Sequence, residues 1–179
     1  MSNNILNKWY VAFGFALICL CGIGPISINF FEIPLTLQTL VICLASVYLG
    51  FPAVLATVAY VIMGIQGVPI LSGFEAKLEI MNTASAGFLI GFPLMSLFLV
   101  ILRKRVKRSF VNSLKYFVMA HLLLIADAYL YNSICNLPFP SISKIAFYLV
   151  PSLLVKSVFA SLVVLIVSQN LWKRRSSDN

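Results

Sequence analysis

Long apolar runs, broken by short clusters of Gly, Pro and charge, set the pattern of this 179-residue chain. A bilayer-spanning helix needs about 20 mostly apolar residues, with about 17 as the lower end. The pattern predicts a first helix from about Trp9 to Gly24 and a second, rather short, from about Leu35 to Leu49. Gly50-Phe51-Pro52 predicts a tight break, because Pro cannot continue a helix but suits the start of the next. A third helix follows from Pro52 to about Gln66, then an irregular stretch to about Thr83. The fourth is expected from about Ala84 to Leu102, the fifth from about Tyr116 to Cys135 and the sixth from about Ile145 to Trp172. Asn136, Pro138, Pro140, Ser141 and Ser143 mark the loop before the last helix.

Composition agrees with lipid as the solvent. Hydrophobic residues make up 61% of the chain and charged residues 10%, against about 25% charged in a soluble domain. Nothing suggests a second, soluble domain, so one membrane domain over residues 1–179 is expected. Lys8 precedes an apolar run with no small-residue cleavage site, which reads as a retained helix rather than a signal peptide. The fold class expected is an all-α integral membrane protein with about six transmembrane helices.

The net charge of +8 sets orientation. Most basic residues fall into two clusters, Arg103-Lys104-Arg105 with Lys107 and Arg108, and Lys173-Arg174-Arg175. Each ends a hydrophobic run, as the positive-inside rule requires of cytoplasmic ends. Two helices lie between them, so the parity is consistent, and both termini are expected in the cytoplasm. The loops around 25–34, 67–83 and 136–144 then share the outer face. Irregular backbone at membrane depth is tolerated where it is buried or lines a cavity, which suggests an outward-facing pocket. Nucleic-acid binding would need a basic groove with interleaved aromatics, and none is visible.

The candidate chemistry is sparse. Pro34-Leu35-Thr36-Leu37-Gln38-Thr39 places hydroxyls and an amide among apolar residues, beside Glu32. Such groups are costly at membrane depth unless something hydrogen-bonds to them. Glu75, Lys77 and Glu79 fall on an expected outer loop and could be solvated. Asp127 and Lys156 lie within apolar runs, where a lipid-facing charge costs about 2.5–3.5 kcal/mol. At 1.5 Å per residue they lie about 12 and 16 Å from the outer end. They could pair with each other across neighbouring antiparallel helices, or face a ligand. His121 reads as an interhelical hydrogen-bonding group. Ala12 and Ala16 form a small-xxx-small pair for close helix approach, within the bundle or with a partner. Cys19, Cys21, Cys43 and Cys135 make no Cys-x-x-Cys pair and read as buried, inert thiols. No P-loop, nucleophile elbow or metal-ligand cluster is present. The chain is therefore not expected to be an enzyme or to hold a cofactor or metal, and any ATP-driven transport needs a separate subunit.

These residues resemble a known family. Ile33-Pro34-Leu35-Thr36-Leu37-Gln38-Thr39 is similar to the Val-Pro-Ile-Thr-Leu-Gln-Thr signature of the BioY biotin transporters. Tyr48-Leu49-Gly50, Tyr60, Gly64-Ile65-Gln66-Gly67-Val68-Pro69 and Gly87-Phe88-Leu89-Ile90-Gly91-Phe92 follow in the same order. The resemblance implies an S-component fold: a substrate-binding subunit of an energy-coupling factor transporter, in a bacterial cytoplasmic membrane. Its implied partners are biotin, a transmembrane coupling protein (the T component) and ATPase subunits. Ala12 and Ala16 would dock the coupling protein. Thr36, Gln38 and Asn82 would meet the ureido ring, and Ser85 is a further substrate-binding candidate. Tyr60 and Phe74 would pack on the ring system, and Lys156 would meet the carboxylate or the ureido oxygen. Leu153 stands where the family has an Asp, and Thr83-Ala84-Ser85-Ala86-Gly87-Phe88 stands where it has Gly-Pro-Thr-Gly-Gly-Tyr. Asp127 is the expected substitute for the missing acid. A stand-alone facilitator or secondary transporter without ATPases is the alternative.

Overall fold

The computed structural model describes residues 2–23, 26–30, 33–71, 81–83, 85–107, 109–137 and 141–177. Helix α1 (Ser2–Ile23) leads into an antiparallel hairpin of β1 (Ser27–Phe30) and β2 (Ile33–Thr36), in which Ser27 faces Thr36 and Phe30 faces Ile33. Helices α2 (Gln38–Leu49), α3 (Phe51–Ile65), α4 (Ala86–Val106) and α5 (Phe110–Ile134) follow. A short α6 (Ile142–Lys144) and a π-helical turn (Ile145–Leu149) run directly into α7 (Val150–Ser177).

By length and composition, three of these helices can cross a membrane: Ala86–Val106, Phe110–Ile134 and Val150–Gln169. The segments Lys8–Ile23, Gln38–Leu49 and Phe51–Ile65 are apolar but shorter. The 12 residues of α2 reach only about 18 Å, against a hydrocarbon thickness of about 30 Å. The sequence pattern placed the start of α2 at Leu35. Instead Pro34, Leu35 and Thr36 are extended, because Pro34 biases its neighbours away from helix and the hairpin satisfies their backbone groups by pairing.

Other boundaries moved for local reasons. α5 begins at Phe110 rather than near Tyr116, since the Ser109 hydroxyl caps it by accepting from the Asn112 N–H at 3.2 Å. The Ser113 hydroxyl also donates to the Val106 carbonyl at 2.7 Å, tying the turn between α4 and α5. α4 continues through Arg103, Lys104 and Arg105, whose positive charges suit a helix C-terminus. The expected break before α3 is present. Gly50 adopts φ +75°, a left-handed conformation that favours glycine, and Pro52 lies in the first turn of α3.

The bundle packs α4 against α5, α1 against α3 and α5 against α7, with α2 touching α1, α3, α4 and α7. Gly87 and Gly91 let α4 approach α5 closely. A Cβ at Gly87 would lie 2.6 Å from the Ala128 backbone, and one at Gly91 2.7 Å from Leu124 Cδ1. Buried hydroxyls are satisfied largely inside their own helices: Ser46 donates to Ile42 O, Thr57 to Val54 O and Ser161 to Ser157 O. The outward faces of α5 and α7 carry Leu122, Leu130, Val155, Phe159 and Ile166, an apolar coat suited to lipid. Among the described residues the four cysteines are unpaired, but only Cys43 is buried. Cys135 is exposed at the end of α5, and Cys19 and Cys21 are half-buried, so the expectation of four buried thiols is corrected.

Candidate functional site

The end of the hairpin and the first turn of α2 deliver the polar signature to the protein interior. Thr36, Gln38 and Thr39 are all buried. The Thr36 hydroxyl donates to Gln38 Oε1 at 2.8 Å, and Gln38 Nε2 donates to the Tyr60 hydroxyl oxygen of α3. The Tyr60 O–H in turn donates to the Ile70 carbonyl at 2.8 Å. Three of the expected site residues thus form one chain that ties the hairpin to α3 and to the segment beyond it. They satisfy one another, which removes most of the cost of burying them.

Thr39 differs from its neighbours. Its hydroxyl is buried and has no hydrogen-bond partner among the described residues. The buried stripe of α2 runs through Gln38, Thr39, Ile42, Cys43, Ser46 and Val47, the i, i+4 spacing of one helix face. Lys156 of α7 lies within electrostatic range of Cys43 on this stripe and of His121 on α5. α7 packs against α2, and Cys43 on that stripe is one turn from Thr39.

His121 joins α5 to α7 as the sequence pattern suggested. Its Nδ1 lies 2.9 Å from Phe117 O and 3.0 Å from Ser157 Oγ, while the Ser157 hydroxyl donates to Leu153 O at 2.8 Å. With the proton on Nδ1 donating to these acceptors, Nε2 keeps a lone pair. That atom is buried without a hydrogen-bond partner among the described residues.

Asp127 takes a different direction. Its Oδ2 is buried without a hydrogen-bond partner among the described residues and lies beside Gly91 of α4. The carboxyl faces the α4–α5 seam, and the structure does not bring it to Lys156. Asn82 is exposed in the turn before α4, and Ser85 is half-buried, its N–H donating to Thr83 Oγ1 at 3.3 Å. Phe74, together with Glu32, Glu75, Lys77 and Glu79, lies outside the described residues. Ala12 is half-buried and Ala16 is fully buried in the core. The alanine pair therefore turns largely inward, and the outward side of α1 is formed by Tyr10, Val11, Phe15 and Ile18. Two polar residues join the inventory: Thr39, part of the signature run but given no role of its own there, and Asn132, buried one turn beyond Ala128 on α5. A polar side chain inside an apolar run was the available signal for both.

Comparison with known proteins adds the family. The sequence profile of the BioY family matches residues 2–176. The chain belongs to the BioY family. Over 106 residues it is 29% identical to the probable biotin transporter BioY of Bacillus subtilis (strain 168), covering 58% of this chain and 57% of that protein. Over 81 residues it is 33% identical to the biotin transporter BioY of Rhizobium etli, covering 45% of this chain and 43% of that protein. The chain thus spans about half the length of the curated relatives it matches. Among solved structures, the S-component for biotin from an ECF-type ABC transporter superposes with a TM-score of 0.73 at 18% identity, covering 94% of each chain. That likeness establishes the S-component fold. Family membership and three long apolar helices make this a membrane protein, and the BioY family is one of transporters, not enzymes.

Proposed function

We propose that this chain binds biotin near the outer ends of α2 and α3 and serves its import as the substrate-specificity subunit of an energy-coupling factor transporter. The observation that carries the reading is the convergence on one face of α2. The Thr39 hydroxyl has no partner among the described residues, Gln38 is fixed by Thr36 and Tyr60, and α7, which packs against α2, carries Lys156 within electrostatic range of Cys43 on that face. A bicyclic ureido ligand with an anionic tail supplies what this face lacks. Its N–H and carbonyl groups suit a hydroxyl and an amide, its thioether ring suits the apolar surroundings, and its carboxylate or ureido oxygen suits an ammonium.

Partners follow from the same reading. A T component and ATPase subunits would supply the energy, in a bacterial cytoplasmic membrane with the basic clusters inside. Ala12 is left as the more accessible of the two docking alanines. Asp127 is the acidic candidate on the α4–α5 seam, and Phe74, Asn82 and Ser85 are candidates from the loop before α4. Equilibrium binding of radiolabelled biotin to the purified chain tests the central statement. Saturable binding, displaced by unlabelled biotin, is expected; absence of displaceable binding to folded protein overturns it. An Asp127→Asn variant that keeps full affinity removes Asp127 from the site.

A further inference from the structure

A second feature lies away from this pocket, between α1 and α2. An apolar groove of about 230 Å³ runs from Ile23 and Val41 near the hairpin to Phe15, Tyr48 and Leu49, with Ala45 in its floor. Phe15 to Ile23 spans eight residues, a length of about 12 Å. A single flexible hydrocarbon chain fits an apolar slot of this length and volume.

The groove has two chemically different ends. At the Tyr48 end, α4 supplies cations from successive turns. Lys107 Nζ stands 4.8 Å from the centroid of the Tyr48 ring. One turn earlier, the Arg103 guanidinium packs directly against Gly50, just past the last residue of α2. Partial burial, and then the nearby Arg103, pull the Lys107 ammonium below the ordinary lysine range. An anion placed there would relieve the crowding of like charge. The ammonium keeps donors free of the ring face, since the π contact occupies one side of a group with three N–H bonds. At the hairpin end the described lining is apolar.

An apolar slot with two cations beside its Tyr48 end matches an amphiphile with an anionic head. We infer that the α1–α2 groove binds one acyl chain of an anionic phospholipid, whose phosphate meets Lys107 and Arg103. Zwitterionic lipid offers the same chain but cancels the head charge, so it binds less well. The lipid belongs to the leaflet on the side of the basic cluster, where anionic headgroups attract Lys and Arg.

Native mass spectrometry of the purified full chain, titrated with dioleoyl phosphatidylglycerol or dioleoyl phosphatidylcholine, reads this directly. Phosphatidylglycerol should remain bound to wild type in preference to phosphatidylcholine. Lys107→Gln should lower phosphatidylglycerol retention about fivefold and leave phosphatidylcholine unchanged. Ala45→Trp, which fills the groove floor, should lower both. Arg105→Gln, exposed and two residues from both Arg103 and Lys107, hence off their shared face, should change neither. Circular dichroism melting checks each variant's fold, and the exposed Lys107→Gln keeps the test decisive if Ala45→Trp does not fold. Equal retention of both lipids overturns the inference, as does an unchanged preference in Lys107→Gln. A loss in Arg105→Gln equal to that in Lys107→Gln also overturns it, because the attraction would then be diffuse. So does a groove that holds no lipid and fills only when a second membrane subunit is present.

Discussion

Gln38 holds both ends of its amide in use, accepting from Thr36 and donating to Tyr60, whose own proton goes to Ile70 O. Removing one hydroxyl from such a chain leaves buried groups unpaired. Tyr60→Phe should therefore cost about 1–3 kcal/mol of stability, read as a lower melting temperature in detergent. Thr39→Val makes the opposite prediction. Its hydroxyl has no protein partner among the described residues, so an isosteric methyl should leave melting unchanged or raise it. If the hydroxyl serves biotin, affinity should still fall, about tenfold for 1.4 kcal/mol, in a calorimetric titration. The depth and polarity of Thr36, Gln38 and Lys156 could be read from the apolar runs around them. Their mutual satisfaction could not, because it depends on Tyr60 and Ile70 arriving from α3 and the segment after it. Asp127 shows the limit more sharply. Spacing along two helices allowed a pair with Lys156, but the rotation of α5 turns its carboxyl toward Gly91 instead.

Glycines decide the closest element contact. Gly87 meets the Ala128 backbone, so its neighbour cannot yield by rotating a side chain. Gly87→Leu should separate α4 from α5 and cost at least the 1–3 kcal/mol typical of overpacking, measured by thermal unfolding. Preserved melting would show that the seam is looser than its geometry. Glycine four residues apart on an apolar run is a recognised sign of close helix approach, and it was present in the sequence at Gly87 and Gly91. The helices themselves were legible from hydrophobic runs, their ends less so. Ser109 begins α5 two turns before the strongly apolar part, because a cap acts through one hydroxyl rather than through hydropathy. The hairpin was hidden by its shortness. Four-residue strands at Ser27–Phe30 and Ile33–Thr36 leave no periodicity to detect, and only their pairing makes them visible.

At the scale of the whole molecule, orientation and ligand remain joined, since an outward pocket requires the basic clusters inside. Cys135 offers a native reporter at the far end of α5 from the basic turn, and it is exposed. In intact cells carrying a Cys19→Ala, Cys21→Ala and Cys43→Ala background, a membrane-impermeant maleimide should label Cys135. A cysteine introduced by Lys104→Cys in place of Cys135 should react only after permeabilisation. The reverse pattern would invert the topology. The most direct test of the central claim is biotin affinity, measured by calorimetry, for wild type and Lys156→Met side by side with their melting temperatures. The account predicts saturable binding to wild type and a loss of about tenfold or more in Lys156→Met, with melting unchanged or raised because a buried charge has gone. Wild-type affinity in a folded Lys156→Met protein would contradict it.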